Sequence, residues 1–392
     1  MAFAALAITW PPSAVHGWGV FGANLIRDLI RRGGPKPILL APVNETHLDA
    51  GDRTLFQPLI AEQAQIEAQF ANAGGMATAR NVAVIHSLGN GMAVGPISAR
   101  FRGKPNVGFT FFEQTDLPPD IVQQCAYLDI MMAGSTWNAE VLRDLGFPKV
   151  GCVFQGVDLD AFRPGPGAGR WKDRFVVFSG GKLELRKGQD LVLAAFKRFH
   201  ETHPDALLVT AWMNPWPDLM APVAESPHVS GAPDGALGFP AAINAWARAE
   251  GLPEGAHEDI SPVLNGAMPN ILRDCDLGLF ANRCEGGTNL VAMEAMATGL
   301  PCILSANSGH MDLIRNGNCY ALTRQTETPF APAGSDHWRE SDVDEMVATL
   351  EAAYDDREAA KRKGDAARAF MEDWSWQNQI SRLLRSLKEL SA

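Results

Sequence analysis

Two successive doubly wound α/β domains are what this sequence predicts, and three observations carry the prediction. Short apolar runs alternate with helical patterns through the first part of the chain. A dense Pro/Gly stretch, RPGPGAG at residues 163–169, then interrupts them. The same alternation restarts after it. Apolar runs that lack a period of two and are separated by helices mark the strands of a parallel sheet covered on both faces. A chain of 392 residues also exceeds one ordinary core.

In the first half, Phe3 to Thr9 reads as a strand, followed by a Gly-rich turn and a helix from Val20 to Arg32. Lys36–Ala41, Asn81–Ile85, Asn106–Phe112, Leu128–Ala133 and Val150–Phe154 are the next strands, and Ser135 is placed to cap a helix from Asn138 to Leu145. After the break come strands at Arg174–Ser179, Ala206–Trp212, Leu277–Ala281 and Pro301–Leu304. Helices are expected at Gln189–His200 and Asn289–Thr298. Residues 341–390 are polar and helical by pattern, interrupted by Trp374 and Trp376.

Composition narrows the function. Against 34 Lys plus Arg stand 45 Asp plus Glu, a formal net charge of −11, which argues against nucleic acid as the partner. Six cysteines without a C-x-x-C pair suggest buried thiols in a reducing compartment. The apolar start lacks a basic flank and reads as a first strand, and no run of 18 apolar residues suggests a membrane span. A cytoplasmic location is expected.

Three segments carry chemistry. Gly17, Gly19 and Gly22 form G-x-G-x-x-G between a strand and a helix, where backbone N–H groups can meet an anion. Dinucleotide-binding oxidoreductases share that pattern, but they need an acid at the end of the second strand, and here Ala41 to Asn44 holds none. Glycines in such a turn can also serve close helix–strand packing, Gly22 in particular. The second segment, Ser179 to Gly188 (SGGKLELRKG), sets Lys182 and Lys187 in a glycine-rich strand-to-helix loop. Fixed cations there would stabilise a departing diphosphate.

The third segment runs from Arg283 to Pro301. Gly286 and Gly287 free backbone N–H groups ahead of a helix, and Thr288 and Asn289 open it. Glu294 stands alone among Leu, Val, Ala and Met, where a carboxylate is costly unless paired; two ribose hydroxyls would satisfy it.

Together these segments resemble the family-four group of retaining GT-B glycosyltransferases, in which two Rossmann-like domains face each other across a cleft. The Gly-rich turn, the stretch Gln155 to Pro164, the loop Gly181 to Gly188, the helix Glu285 to Pro301 and Trp374-Ser375-Trp376 occur in the family's order. The resemblance implies an acceptor-side domain at 1–165, a donor domain at 166–372 and a last helix, 373–392, crossing back to the first. It implies that Lys182 and Lys187 hold the diphosphate of a nucleotide-sugar donor and Glu294 the ribose. Glu285 and the backbone of Gly286 to Asn289 would contact the sugar. A first-domain catalytic group is expected at His86 or Glu113.

Two departures stand out. Eight residues separate Glu285 from Glu294 where the family commonly has seven, and Lys182 stands where Arg is frequent. The expected activity is sugar transfer with retention, without cofactor or bound metal. The acceptor is left open among glycan, lipid-linked and small-molecule classes, and peripheral membrane contact stays open with it. A nucleotide-sugar epimerase, a non-catalytic nucleotide-sugar scaffold and an NAD-dependent oxidoreductase are the rival readings.

Overall fold

A computed structural model describes residues 3–73 and 75–390. The chain forms two compact units. The first runs up to Gly156 and regains 264–266 and the segment from Trp374 onward; the second comprises Val157–Val263 and Ala267–Asp373.

The first unit holds strands β1 (Ala5–Ile8), β2 (Lys36–Leu39), β3 (Val82–Leu88), β4 (Asn106–Thr110), β5 (Ile130–Ala133) and β6 (Val150–Cys152). They form one parallel sheet in the order β2-β1-β3-β4-β5-β6. Helix α1 (Gly17–Arg31) follows β1, and the Ser135 hydroxyl caps α3 (Thr136–Asp144) by accepting from the Asn138 N–H at 3.1 Å. Between them lies α2 (Ala50–Ala73), which the sequence pattern did not suggest. Among its described side chains the buried ones are Asp52, Phe56, Leu59 and Gln63, a helical stripe whose two end members are polar. Arg27 of α1 grips the Asp52 carboxylate with Nε and Nη2, both at 2.5 Å.

The second unit repeats the plan with β7 (Phe175–Gly180), β8 (Ala206–Ala211), β9 (His257–Asp259), β10 (Leu277–Phe280), β11 (Cys302–Ser305) and β12 (Tyr320–Leu322). Their order is β9-β8-β7-β10-β11-β12, all parallel. Helices α4 (Gln189–Thr202), α5 (Ala241–Ala249) and α6 (Leu290–Ala297) connect them, and α7 (Val343–Asp355) and α8 (Arg357–Met371) follow. An antiparallel hairpin, β13 (Gln325–Glu327) with β14 (Arg339–Ser341), is added after β12.

The break falls between Gly156 and Val157, ahead of the Pro/Gly stretch. Residues 163–169 are part of the second unit, because Arg273 Nε donates to the Arg163 carbonyl at 3.0 Å and the Asp274 carboxylate accepts the Gly169 N–H at 2.9 Å. The last helix, α9 (Trp376–Glu389), belongs to the first unit. Trp376 stacks on Phe21 of α1 with centroids 5.8 Å apart, Trp374 stacks on Phe154 at 4.6 Å, and Arg32 reaches Ser381 Oγ at 3.1 Å. Among the described residues no helix is long and apolar enough to cross a membrane.

Candidate donor site in the second unit

In the second sheet, β7 and β10 are neighbours whose following connections leave in opposite directions. At such a switch point the loops beyond the strand ends splay apart, and open α/β sheets bind ligands there. The loop after β7 carries Lys182, Glu184, Arg186 and Lys187; the loop after β10 carries Asn282, Arg283 and Glu285.

These side chains form one ionic cluster. Glu184 lies between two cations, with Lys182 Nζ 2.9 Å from one carboxylate oxygen and Arg186 Nε 2.6 Å from the other. Glu285 pairs with Lys187, accepts from the Asn282 amide, and lies 3.5 Å from Arg186 Nη1. Burial pushes the Glu184 carboxyl up, but Arg186 and Lys182 outweigh it and hold it at about 2. Burial and the neighbouring cations oppose each other at Glu285 as well, and Lys187 and Arg186 keep it below the usual carboxylate range.

The Glu285 loop is fixed from below by the turn at 308–310. The Glu285 N–H donates to Ser308 Oγ at 2.8 Å, and the Gly309 N–H to the Glu285 carbonyl at 3.0 Å. A Cβ on Gly309 would stand 1.6 Å from the Gly287 carbonyl oxygen, so only glycine lets the two segments approach this closely. Ser308 and Asn289 both have left-handed backbones, with φ of 38° and 60°. Two strained non-glycine residues in contact with one loop are the pattern of a site held in a specific shape.

Asn289 caps α6 and its amide also meets His310 Nε2 at 3.0 Å. With Nε2 accepting, His310 carries its proton on Nδ1, 3.2 Å from the Ser305 carbonyl. Burial lowers this imidazole to about 4 against the pull of Glu285, so the ring is neutral at physiological pH. Gly286, Gly287 and Thr288 lie buried in the same loop, and Glu294 is 3% exposed within α6.

Arg283 locks the two loops together. Its side chain is fully buried and binds Asp190 at 2.5 Å, Glu340 at 2.6 Å and the Leu185 carbonyl at 2.7 Å. Its own N–H donates to the Arg186 carbonyl at 2.7 Å. One residue therefore ties the Lys187 loop, helix α4 and strand β14 to the loop bearing Glu285.

The first-unit candidates fare differently. Gly17 opens α1, and its carbonyl accepts from Gln155 Nε2 at 3.2 Å. Gly19 and Gly22 are needed for packing: a Cβ would lie 1.9 Å from Ser13 Oγ at the first and 2.8 Å from Trp10 Nε1 at the second. Close helix–strand packing thus accounts for both glycines. His86 requires a correction. The sequence reading sets it just after its strand, facing the cleft, yet β3 continues through Leu88 and pairs His86 with Gly108. The ring is 0% exposed, its Nε2 is 3.2 Å from Asn106 Oδ1, and it stands edge-on to Tyr127 at 5.7 Å. Glu113 is half-buried in the loop beyond β4.

Reading the sequence missed Glu184, Arg186, Asn282, Ser308 and His310. Glu184 and Arg186 lie between the two lysines and were visible as charges in a glycine-rich loop. Ser308 and His310 carried no signal, because they join the cluster through a separate strand end. No group of His, Cys, Asp and Glu among the described residues has a metal-holding arrangement.

Residues 265–383 match the family described as GT4-conflict, Family 4 Glycosyltransferase in conflict systems. The chain is 26% identical over 240 residues to the GDP-mannose-dependent alpha-(1-6)-phosphatidylinositol monomannoside mannosyltransferase of Mycolicibacterium smegmatis, covering 59% of this chain and 54% of that protein. Over 177 residues it is 29% identical to the D-inositol 3-phosphate glycosyltransferase of Mycobacterium tuberculosis, 43% of this chain and 32% of that protein. It thus spans about half the length of the first relative and a third of the second.

Two solved structures share the fold along nearly all of both chains. Anabaena HepE in complex with UDP and glucose has a TM-score of 0.64 at 14% identity, covering 98% of this chain and 99% of its own. Sucrose-phosphate synthase from Thermosynechococcus elongatus has 0.65 at 13%, covering 98% of each. The fold is that of the GT-B glycosyltransferases, two parallel-sheet Rossmann-like domains. Within that class, the stretch 265–383 is similar to family 4 of the glycosyltransferases.

Proposed function

We propose that this protein transfers a sugar from a nucleoside-diphosphate sugar to an acceptor hydroxyl with retention of configuration. The observation that carries this reading is the cluster of Lys182, Arg186 and Lys187 at the switch point of the second sheet, backed by Glu184 and Glu285. Breaking a glycosidic bond to a diphosphate places negative charge on the departing phosphate. Cations fixed beforehand stabilise that charge without reorganising.

In this account Lys187 and Arg186 meet the phosphate next to the sugar, and Lys182 the other. Glu285 orients Lys187, the backbone from Gly286 to Asn289 contacts the sugar, and Glu294 takes the ribose hydroxyls. His310, neutral and fixed by Asn289 and Ser305, shapes the floor of the loop. Glu113, in the loop beyond β4, is the first-unit candidate for a catalytic group.

The relatives' names supply the donors to try first, GDP-mannose and UDP-glucose. Each is incubated with the purified protein, and release of nucleoside diphosphate and the identity of the sugar product are followed by NMR. Nucleoside diphosphate released together with a product of retained configuration supports transfer. A donor converted to a different sugar with no acceptor or water consumed would make the protein an epimerase. A donor bound and returned unchanged, whatever acceptor is offered, would make it a scaffold.

A further inference from the structure

The cation cluster is already partly neutralised before any ligand arrives. Glu184 presents one oxygen to Lys182 Nζ at 2.9 Å and the other to Arg186 Nε at 2.6 Å, which are charge-assisted hydrogen bonds of the kind these cations would offer a phosphate. The Glu184 side chain is 11% exposed and that of Arg186 14%, whereas the Lys182 side chain is 34% exposed. The Lys182 end of the bridge is therefore the open end. Lys182, Arg186 and Lys187 set against Glu184 and Glu285 leave these five groups with a single net positive charge.

We infer that Glu184 is an internal counter-ion that limits how tightly this site holds a diphosphate, competing with it for Lys182 and Arg186. The inference rests on the reading that the site takes a nucleoside diphosphate. A glycosyl transfer leaves behind a nucleoside diphosphate carrying more negative charge than the donor did. A cluster of three bare cations would hold that product more strongly than the substrate and slow the next turnover. A fixed carboxylate a few ångströms away opposes both species, and it opposes the more highly charged product more. Glu184 thus sets affinity and product release and takes no part in bond breaking.

A further observation shows that the Lys182 end is built rather than incidental. Asn214 is 1% exposed and spans two segments, donating from Nδ2 to the Leu183 carbonyl at 2.9 Å and accepting the Trp216 N–H at 3.0 Å. This sets the Trp216 ring 4.8 Å from Lys182 Nζ. Lys182 is thereby held between an aromatic face and Glu184, with its position fixed and its charge shared.

Glu184→Gln keeps the size of the side chain and one of its two accepting oxygens and removes its charge; Glu184→Ala removes the charge by another route. UDP and GDP are titrated calorimetrically into the parent and both variants, with melting temperatures measured alongside. The expected result is tighter binding of whichever nucleoside diphosphate the parent takes, by about tenfold, the scale of one partly screened like charge at this distance. Turnover of the matching donor should fall as product release slows, with KM falling too.

A residue that merely shaped the loop would weaken binding when replaced, so equal or weaker affinity in a folded variant overturns the inference while leaving the donor site intact. Failure of the parent itself to bind either UDP or GDP overturns the reading of the site, and this inference with it.

Discussion

Lys187 and Glu285, 98 positions apart, meet as a buried ion pair at the point where the connections of the second sheet diverge. Their meeting joins the loop after β7 to the loop after β10 and gives the site its central cation. Burial lowers the Lys187 amine and Glu285 opposes that shift. Glu285 thus favours the charged form of the lysine against the burial that disfavours it.

Lys187→Ala is expected to lower turnover by on the order of 10²–10³-fold, the scale of one lost charge-stabilising group. Steady-state rates at saturating donor check this, and an unchanged rate would remove the loop from the chemistry.

Glu294→Ala is expected to weaken nucleotide binding with little effect on the rate at saturating donor, because its carboxylate is assigned to the ribose. Calorimetric titration of the nucleoside diphosphate separates the two outcomes. Parent-like affinity would mean that this buried carboxylate serves the helix alone.

Arg283→Met removes a fully buried cation from between Asp190 and Glu340. Leaving two carboxylates there without their partner should cost about 3–5 kcal/mol of stability. Urea unfolding measures the loss. A variant as stable as the parent would show that Arg283 does not brace the two loops.

His86 should tie stability, not activity, to pH. Burial lowers its folded-state value to about 4 from an ordinary 6.5, with Asn106 opposing the shift and Arg102 adding to it. The unfolded chain therefore binds the proton more readily. The resulting penalty is absent above pH 6.5, grows as pH falls from 6.5 to 4, and is complete below 4. His86→Gln should flatten that part of the melting-temperature profile and leave turnover at neutral pH at the parent's level. A parent-like profile would place the acid sensitivity elsewhere.

The repeated sheet was legible because parallel strands buried on both faces read as plain apolar runs, as in FVVFSG before Lys182 and ALLVTA in β8. The Lys187 loop and Glu294 were legible because charge in an apolar or glycine-rich setting stands out. Helix α2 was not, because Asp52 and Gln63 occupy half of its buried stripe. His86 was misplaced because a strand with a polar residue before its last apolar one looks shorter than it is. The contacts that shape the Glu285 loop, from Ser308, Gly309 and His310, come from the end of β11. Tertiary meetings of this kind leave no local pattern in a sequence.

The most direct test of the donor site is a thermal-shift comparison of the parent protein with UDP, GDP, ADP, CMP and NAD. A ligand that binds only the folded protein raises its apparent melting temperature by mass action. The account predicts a rise with one of the nucleoside diphosphates, which would also name the base of the donor. A rise with NAD alone would contradict it, because the cluster of Lys182, Arg186 and Lys187 would then have no diphosphate sugar to serve.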